Sequence, residues 1–228
     1  MRSLRVTGAG LARRSVALRT RVFTQTARVQ RHIRPGAVAL TFDDGPQPGS
    51  TDRILDLLGE LGVKATFFCV GKNVRAHPEL VLRIRDEGHA LGSHSFTHPH
   101  PGETAVRPLA RDYRQGQEVL AQVVGTRTSM FRPPHGHIGW AGAGVIRRLG
   151  LVTWLWSVDP EDWRPGATRE HITSVGAQAT SGDIVLLHDW VEQPWSPQAA
   201  DRSATIAAVA DIVAQVRGKG LVIETLPL

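Results

Sequence analysis

The sequence predicts an α/β fold built on a mostly parallel sheet, and three observations predict it. Short apolar runs recur from residue 37 to the end and alternate with longer amphipathic segments, which is the rhythm of repeated βα units. Several runs are apolar over four to six consecutive residues, as strands covered on both faces require. The runs also end repeatedly on charged or titratable residues: Asp43, His94, Arg132, Asp159 and His188. In parallel β/α folds the C-terminal strand ends carry the chemistry. The pattern fits a barrel and an open sheet equally.

The elements follow in order. "AVALTFD" (37–43) predicts the first strand. "STDRILDLLGELG" is then a helix, with a Ser/Thr/Asp start and a stop at Gly62. "ATFFCVG" (65–71) is the second strand, followed by a helical stretch "NVRAHPELVLRIRDEG" that closes at Gly88. "HALGSH" (89–94) is the third. "ETAVRPLARDYRQGQEVLAQVVG" carries Pro108, so its main helix is expected after that residue. "MFRPP" (130–134) and "LVTWLWSV" (151–158) flank a helix "WAGAGVIRRLG" that ends at Gly150. "TREHITSVGAQATSG" leads to the strand "DIVLLHD" (183–189). "DRSATIAAVADIVAQVRGKG", ending near Gly218, leads to "LVIETLPL" (221–228). There is no internal repeat and no low-complexity linker.

A chain of 228 residues suffices for one large domain. Its single cysteine, Cys69, excludes an internal disulfide framework, and its apolar neighbours predict a buried thiol. The net charge of +6 is unevenly spread. Residues 1–34 hold nine arginines and no acid, whereas the remainder has 18 Lys and Arg against 21 Asp and Glu. The body is therefore mildly acidic, which argues against nucleic acid as a partner. We divide the chain into a basic arm, 1–35, and a single folded domain, 36–228. The arm reads either as a disordered leader or as a basic helix lying on an anionic membrane surface. It lacks the apolar stretch of a secretory signal, and no run in the chain is long enough to span a membrane.

The chemistry starts at "LTFDDGP", where Asp43 and Asp44 stand side by side at a strand end. Adjacent carboxylates raise one another's pKa unless something neutralises one of them. "HSFTH" supplies a candidate partner: His94 and His98, four residues apart, present two imidazoles on one side of a helix or tight loop. Two histidines and a carboxylate make a three-ligand metal site with an open position. With Asp44 as the third ligand, a cation holds that acid ionised and leaves Asp43 free to act as a base.

"TFDDGP", "HSFTHP", "FRPPHG", "SVDPEDW" and "IVLLHD" occur in the order and spacing of the five motifs of the polysaccharide deacetylases, carbohydrate esterase family four. The chain resembles that family, which includes chitooligosaccharide and peptidoglycan N-acetylglucosamine deacetylases, over residues 36–228. The resemblance implies a distorted (β/α) barrel of about seven strands and metal-dependent hydrolysis of N-acetyl groups on a glycan. It implies Asp43 as catalytic base, with Arg132 as its arginine partner. It implies Asp44, His94 and His98 as ligands of a divalent metal, zinc by preference, with Co2+, Ni2+ and Fe2+ suiting the same donors. His188 matches the general acid and Asp162 the carboxylate that tunes it. Trp163 matches a pocket wall, and Leu186 the residue that receives the acetyl methyl. The residue matching His135 offers a backbone N–H to the oxyanion. The family usually has tyrosine there, so the substrate subsite is open to change, and a fourth metal ligand is another role for the His135 side chain.

Plainer readings apply elsewhere. His100 and His137 are expected on the loop surface, and Asp159 in a turn. Trp154 and Trp156 are expected in the core, and Trp163, Trp190 and Trp195 where rings can stack on sugars. Acetyl-xylan, a small amide, or glycan binding without catalysis are alternative readings of the same site. The family's substrates place such enzymes at the cell envelope or outside the cytoplasm.

Overall fold

The structure is a computed structural model that describes residues 26–194 and 196–227. The expectations for the arm up to residue 25 and for Trp195 lie outside the described residues.

Among the described residues the strands are β1 (Val29–Gln30), β2 (Ala37–Asp43), β3 (Thr66–Cys69), β4 (Ala90–Ser93), β5 (Met130–Phe131), β6 (Val152–Trp154), β7 (Ile184–His188) and β8 (Val222–Ile223). The helices are α1 (Thr51–Leu61), α2 (Gly71–Ala76), α3 (Pro78–Asp86), α4 (Val106–Val124), α5 (Trp140–Arg148), α6 (Arg169–Gly176), α7 (Pro197–Ala200) and α8 (Ser203–Gly218). All named strands pair in parallel, in the order β1-β6-β5-β4-β3-β2-β7, with β8 on β2. Beyond β6 the chain bends to β7, where Val158 bridges Val185. That bridge draws the curled sheet toward closure, as a distorted (β/α) barrel. β8 pairs with the first two residues of β2, and the Leu226 N–H donates to the Thr66 hydroxyl (2.9 Å) at the start of β3.

The two-residue period of a strand sorts β2 into layers. Val38, Leu40 and Phe42 pack outward with Ile54, Leu55 and Leu58 of α1 and Val209, Ile212 and Val213 of α8. Ala39 points inward, into a second cluster with Phe68, Met130, Trp154 and Ile184. Both faces are buried, which is why "AVALTFD" carries no polar residue before Thr41. β7 sorts the same way: Val185 and Leu187 face the helices, Ile184 the interior. β2 and β7 thus each deliver the next inward residue, Asp43 and His188, to the same end of the sheet.

Two boundaries differ from the sequence pattern. α4 starts at Val106 and takes Pro108 into its first turn, where the missing N–H would have had no helical partner anyway. The end of the arm is part of the sheet: Val29 and Gln30 pair with Thr153 and Trp154, Ala27 is buried, and Arg34 Nε donates to Glu224 (3.0 Å). No helix among the described residues is long and apolar enough to cross a membrane.

Candidate active site

Asp43 continues the inward series of β2, and strand register sets it directly beside His188 of β7. Arg132 enters the barrel just beyond β5. Its Nη1 donates to Asp43 Oδ1 (2.7 Å) and to the Thr41 hydroxyl (2.8 Å), and its Nε donates to the Trp154 carbonyl (2.9 Å). The guanidinium is fully buried and lies over the Phe68 ring at 4.2 Å. A buried cation needs such compensation, and this one is matched chiefly by Asp43.

Asp44 follows with a left-handed backbone, φ 79°. Its Oδ2 accepts from the Glu192 N–H (2.8 Å) and its carbonyl from Asn73 Nδ2 (2.8 Å). Its Oδ1 is buried and receives no hydrogen bond. That oxygen faces His94 Nε2 at 3.4 Å and His98 Nε2 at 3.3 Å. His94 Nδ1–H donates to the Arg132 carbonyl (2.7 Å), which fixes the tautomer and leaves the Nε2 lone pair directed at the acid. The three candidate ligand atoms lie within 4.8 Å of one another. An unpartnered carboxylate oxygen facing two imidazole nitrogens is a donor set that could hold a cation, and its O, N, N composition would suit zinc and its neighbours.

Burial would lower the His94 pKa, but Asp43 and Asp44 beside it raise it. Burial would raise the Asp44 carboxyl, but His98 and His94 beside it hold it well below the usual carboxylate range. Burial pushes His98 down to about 3, so its ring is neutral, the form that ligates.

The loop that carries the histidines is held by α4. Ser95 and His98 both have left-handed backbones, φ 70° and 58°, a cost met where surrounding structure over-determines the geometry. Asp112 supplies that constraint by accepting from the N–H groups of Phe96 (2.8 Å) and Thr97 (3.1 Å) and from the Thr97 hydroxyl (2.6 Å). One turn on, Gly116 leaves room for the loop, because a Cβ there would collide with the Ser95 carbonyl.

On the other side of the cavity, Ile184, Leu186 and His188 share the inward face of β7. His188 Nδ1–H donates to Asp162 Oδ1 (2.8 Å), and its backbone N–H donates to Asp162 Oδ2 (2.9 Å). Asp162 is itself held by the Thr205 hydroxyl (2.9 Å) and, at its carbonyl, by Arg202 Nη1 (2.9 Å). Burial pulls the His188 pKa down, but Asp162, with Asp44 and Asp43 adding to it, outweighs burial and lifts it to about 9. Burial raises and His188 lowers the Asp162 carboxyl, for a net fall.

Between the two halves lies a cavity of about 360 Å³, with Trp156, Trp163, Leu186 and His135 in its wall. All ten site residues expected from the sequence therefore meet around this cavity, either lining it or, for Arg132 and Asp162, holding residues that do. Asp159 accepts from the Glu161 N–H (2.8 Å), as a turn residue, and also lines the wall. Trp154 is buried in the inner cluster, as expected, whereas Trp156 faces the cavity.

Two supporting residues, Glu192 and Asp189, are not singled out by the sequence pattern. Glu192 gives its N–H to Asp44 and takes Lys72 and Asn73 on its carboxylate. Asp189 accepts from the Gly45 N–H (3.0 Å) and the Thr51 hydroxyl (2.6 Å), and burial lifts its pKa to about 7. Asp189 could have been flagged as an acid following a buried strand; nothing local marks Glu192.

The sequence pattern of the polysaccharide deacetylase family matches residues 30–154. A peptidoglycan-N-acetylglucosamine deacetylase of Bacillus cereus is 36% identical over 185 residues, covering 80% of this chain and 83% of that protein. A chitooligosaccharide deacetylase of Azorhizobium caulinodans is 30% identical over 211 residues, covering 90% of this chain and 99% of its own. Among solved structures, a family 4 carbohydrate esterase from Streptomyces lividans in complex with acetate superposes with a TM-score of 0.73 at 32% identity, over 85% of this chain and 93% of the other.

Proposed function

The chain belongs to the polysaccharide deacetylase family, and from that premise we propose that it is a divalent-metal-dependent hydrolase that removes N-acetyl groups from N-acetylglucosamine-containing glycans and releases acetate. The observation that carries the metal dependence is the buried, unpartnered Asp44 Oδ1 between His94 and His98 Nε2. Asp44, His94 and His98 would hold the ion. A bound divalent cation supplies Lewis-acid polarisation of a carbonyl and acidifies water.

The remaining work falls to the chain's own side chains. Asp43 takes the proton of the attacking water. Arg132, anchored on Thr41 and the Trp154 carbonyl, keeps the Asp43 carboxylate in place beneath the cavity. His188 stands opposite with Nδ1 committed to Asp162, so Nε2 is the nitrogen that gives a proton to the departing amine. An amine leaves only when protonated, and a histidine with a raised pKa carries that proton at neutral pH. Base and acid thus rest on separate partners, Arg132 and Asp162, which is how one site runs both roles. Leu186 offers an apolar surface for the acetyl methyl, Trp163 a ring face for the sugar, and the His135 backbone N–H a donor for the developing oxyanion.

The test is product analysis after incubation with chitooligosaccharides, peptidoglycan fragments and acetyl-xylan. Acetate and free amine from either of the first two are expected. Acetate from acetyl-xylan alone would move the chain to ester hydrolysis, and no release from any of the three would support a binding module.

A further inference from the structure

The end of the basic arm places one arginine beside the active site. Val29 and Gln30 pair with Thr153 and Trp154, and the Leu155 N–H donates to the Gln30 carbonyl (2.9 Å). One residue on, Arg31 falls beside Leu155. Trp154 packs into the inner cluster, so by the two-residue period of a strand Leu155, Val29 and Arg31 share the outer face. Arg31 Nη1 reaches forward to donate to the Trp156 carbonyl (3.4 Å), and the Trp156 ring stands in the wall of the active-site cavity.

A second, more open cavity of about 430 Å³ lies on this face, lined by Val29, Arg31, Leu155 and the turn 135–138. His135 and Gly136 line both cavities, so the two meet across that turn. A Cβ on Gly136 would stand 2.6 Å from the Trp156 ring, and with glycine there no side chain separates them at that point.

We propose that Arg31 is a specificity-determining residue: it binds a carboxylate carried by the sugar next to the one that loses its acetyl group, with that neighbouring sugar seated in the outer cavity. The inference rests on the deacetylase reading above and adds to it a preference for acidic glycans. The lining fits such a sugar. Val29, Leu155 and Ile138 give an apolar surface for a pyranose face, and His135 and His137 give imidazoles for its hydroxyls. The one charged group is a cation, and no carboxylate lines the cavity.

The charge is also uncommitted. The exposed Arg34 and Arg164 pair with Glu224 and Glu161, whereas the exposed Arg31 has no carboxylate partner among the described residues. With Nη1 on the Trp156 carbonyl, its Nε–Nη2 edge is left as the fork that takes a carboxylate through two parallel hydrogen bonds. A chain of N-acetylglucosamine alone offers this fork nothing. A chain alternating with the 3-O-lactyl sugar offers a carboxylate on every neighbour, or, where that carboxyl is amide-linked to a peptide, the carboxylates of the peptide.

The experiment compares kcat/KM on three tetrasaccharides: N-acetylglucosamine only, alternating with free lactyl carboxylates, and alternating with peptides on the lactyl groups. The wild type is expected to favour a carboxylated oligomer over the neutral one by roughly three- to tenfold, between the worth of a surface ion pair and that of a charge-assisted hydrogen bond. The difference should lie in KM. Arg31→Gln should bring the ratio to one, and Arg31→Lys should keep part of it. A preference confined to the peptide-bearing oligomer and lost in Arg31→Gln supports the same role with the carboxylate on the peptide. Equal kcat/KM on all three substrates overturns the proposal, as does an unchanged ratio in Arg31→Gln or a loss of equal size on every substrate. Equilibrium binding of the same oligomers, by calorimetry on wild type and Arg31→Gln, separates the two readings. A protein that hydrolyses none of them yet binds the acidic ones more tightly through Arg31 sinks the deacetylase reading and leaves the carboxylate site standing. A protein that deacetylates all three without preference does the reverse.

Discussion

Asp43 and Asp44 are neighbours in sequence with opposite assignments, and the difference is made by their partners. Asp43 faces inward onto Arg132, while Asp44 turns left-handed onto two imidazoles. Asp43→Asn is therefore expected to keep the bound metal and to lose acetate release by about 10²–10⁴-fold, the usual worth of a general base, read by metal analysis beside kinetics. Retained turnover would remove Asp43 from that role. His188 carries a sign-definite consequence for stability. Its folded pKa of about 9 stands above its ordinary 6.5, so in chelated protein the contribution is full below pH 6.5 and disappears as pH rises through 9. Melting temperature should fall across that window in the wild type and fall less in His188→Asn. Equal slopes in the two proteins would contradict the pairing. In the metal-loaded enzyme, Asp162→Asn should shift the alkaline limb of the kcat/KM profile to lower pH, because the carboxylate that sustains the imidazolium is gone.

The barrel's elements hold these residues by simple means. β2 and β7 alternate inward and outward, so Thr41, Asp43, Leu186 and His188 reach the rim on the same face. The strands themselves are readable in "AVALTFD" and "DIVLLHD", with Asp43 and His188 at their ends, but with both faces apolar the inward set is not, and the roles of base and acid are implied only by the family motifs. β1 is not readable: a two-residue pairing leaves no apolar run, and it forms because β6 is there to receive it. Pro108 misleads because the rule against proline applies to helix interiors and not to first turns. Glu192 and Asn73 are invisible for another reason, since they act through contacts with Asp44 that exist only once β2, α2 and the loop after β7 converge. The support of the histidine loop by α4 yields its own test. Gly116→Ala drives a Cβ into the Ser95 carbonyl and should weaken zinc binding and lower the melting temperature, whereas Gly144→Ala, on α5 with open space around it, should leave both unchanged. An unaltered zinc affinity in Gly116→Ala would show that the loop is held elsewhere.

At the scale of the molecule, the Asp44–His94–His98 triad joins β2 to the loop after β4, while the Asp162–His188 pair ties the loop after β6 to β7. An ion that binds only the folded chain stabilises the whole barrel, by about 2.7 kcal/mol at a hundredfold excess over its dissociation constant. For a protein of this size that raises the melting temperature by several degrees, and Asp44→Asn should abolish the rise. The central claim, that the two histidines and one aspartate hold the ion on which catalysis depends, is tested most directly by stripping and restoring that ion. Rigorous chelation should abolish acetate release from an N-acetylglucosamine oligomer, and one equivalent of zinc should restore it in the wild type but not in His94→Ala. Undiminished turnover by protein shown to be metal-free would contradict the account.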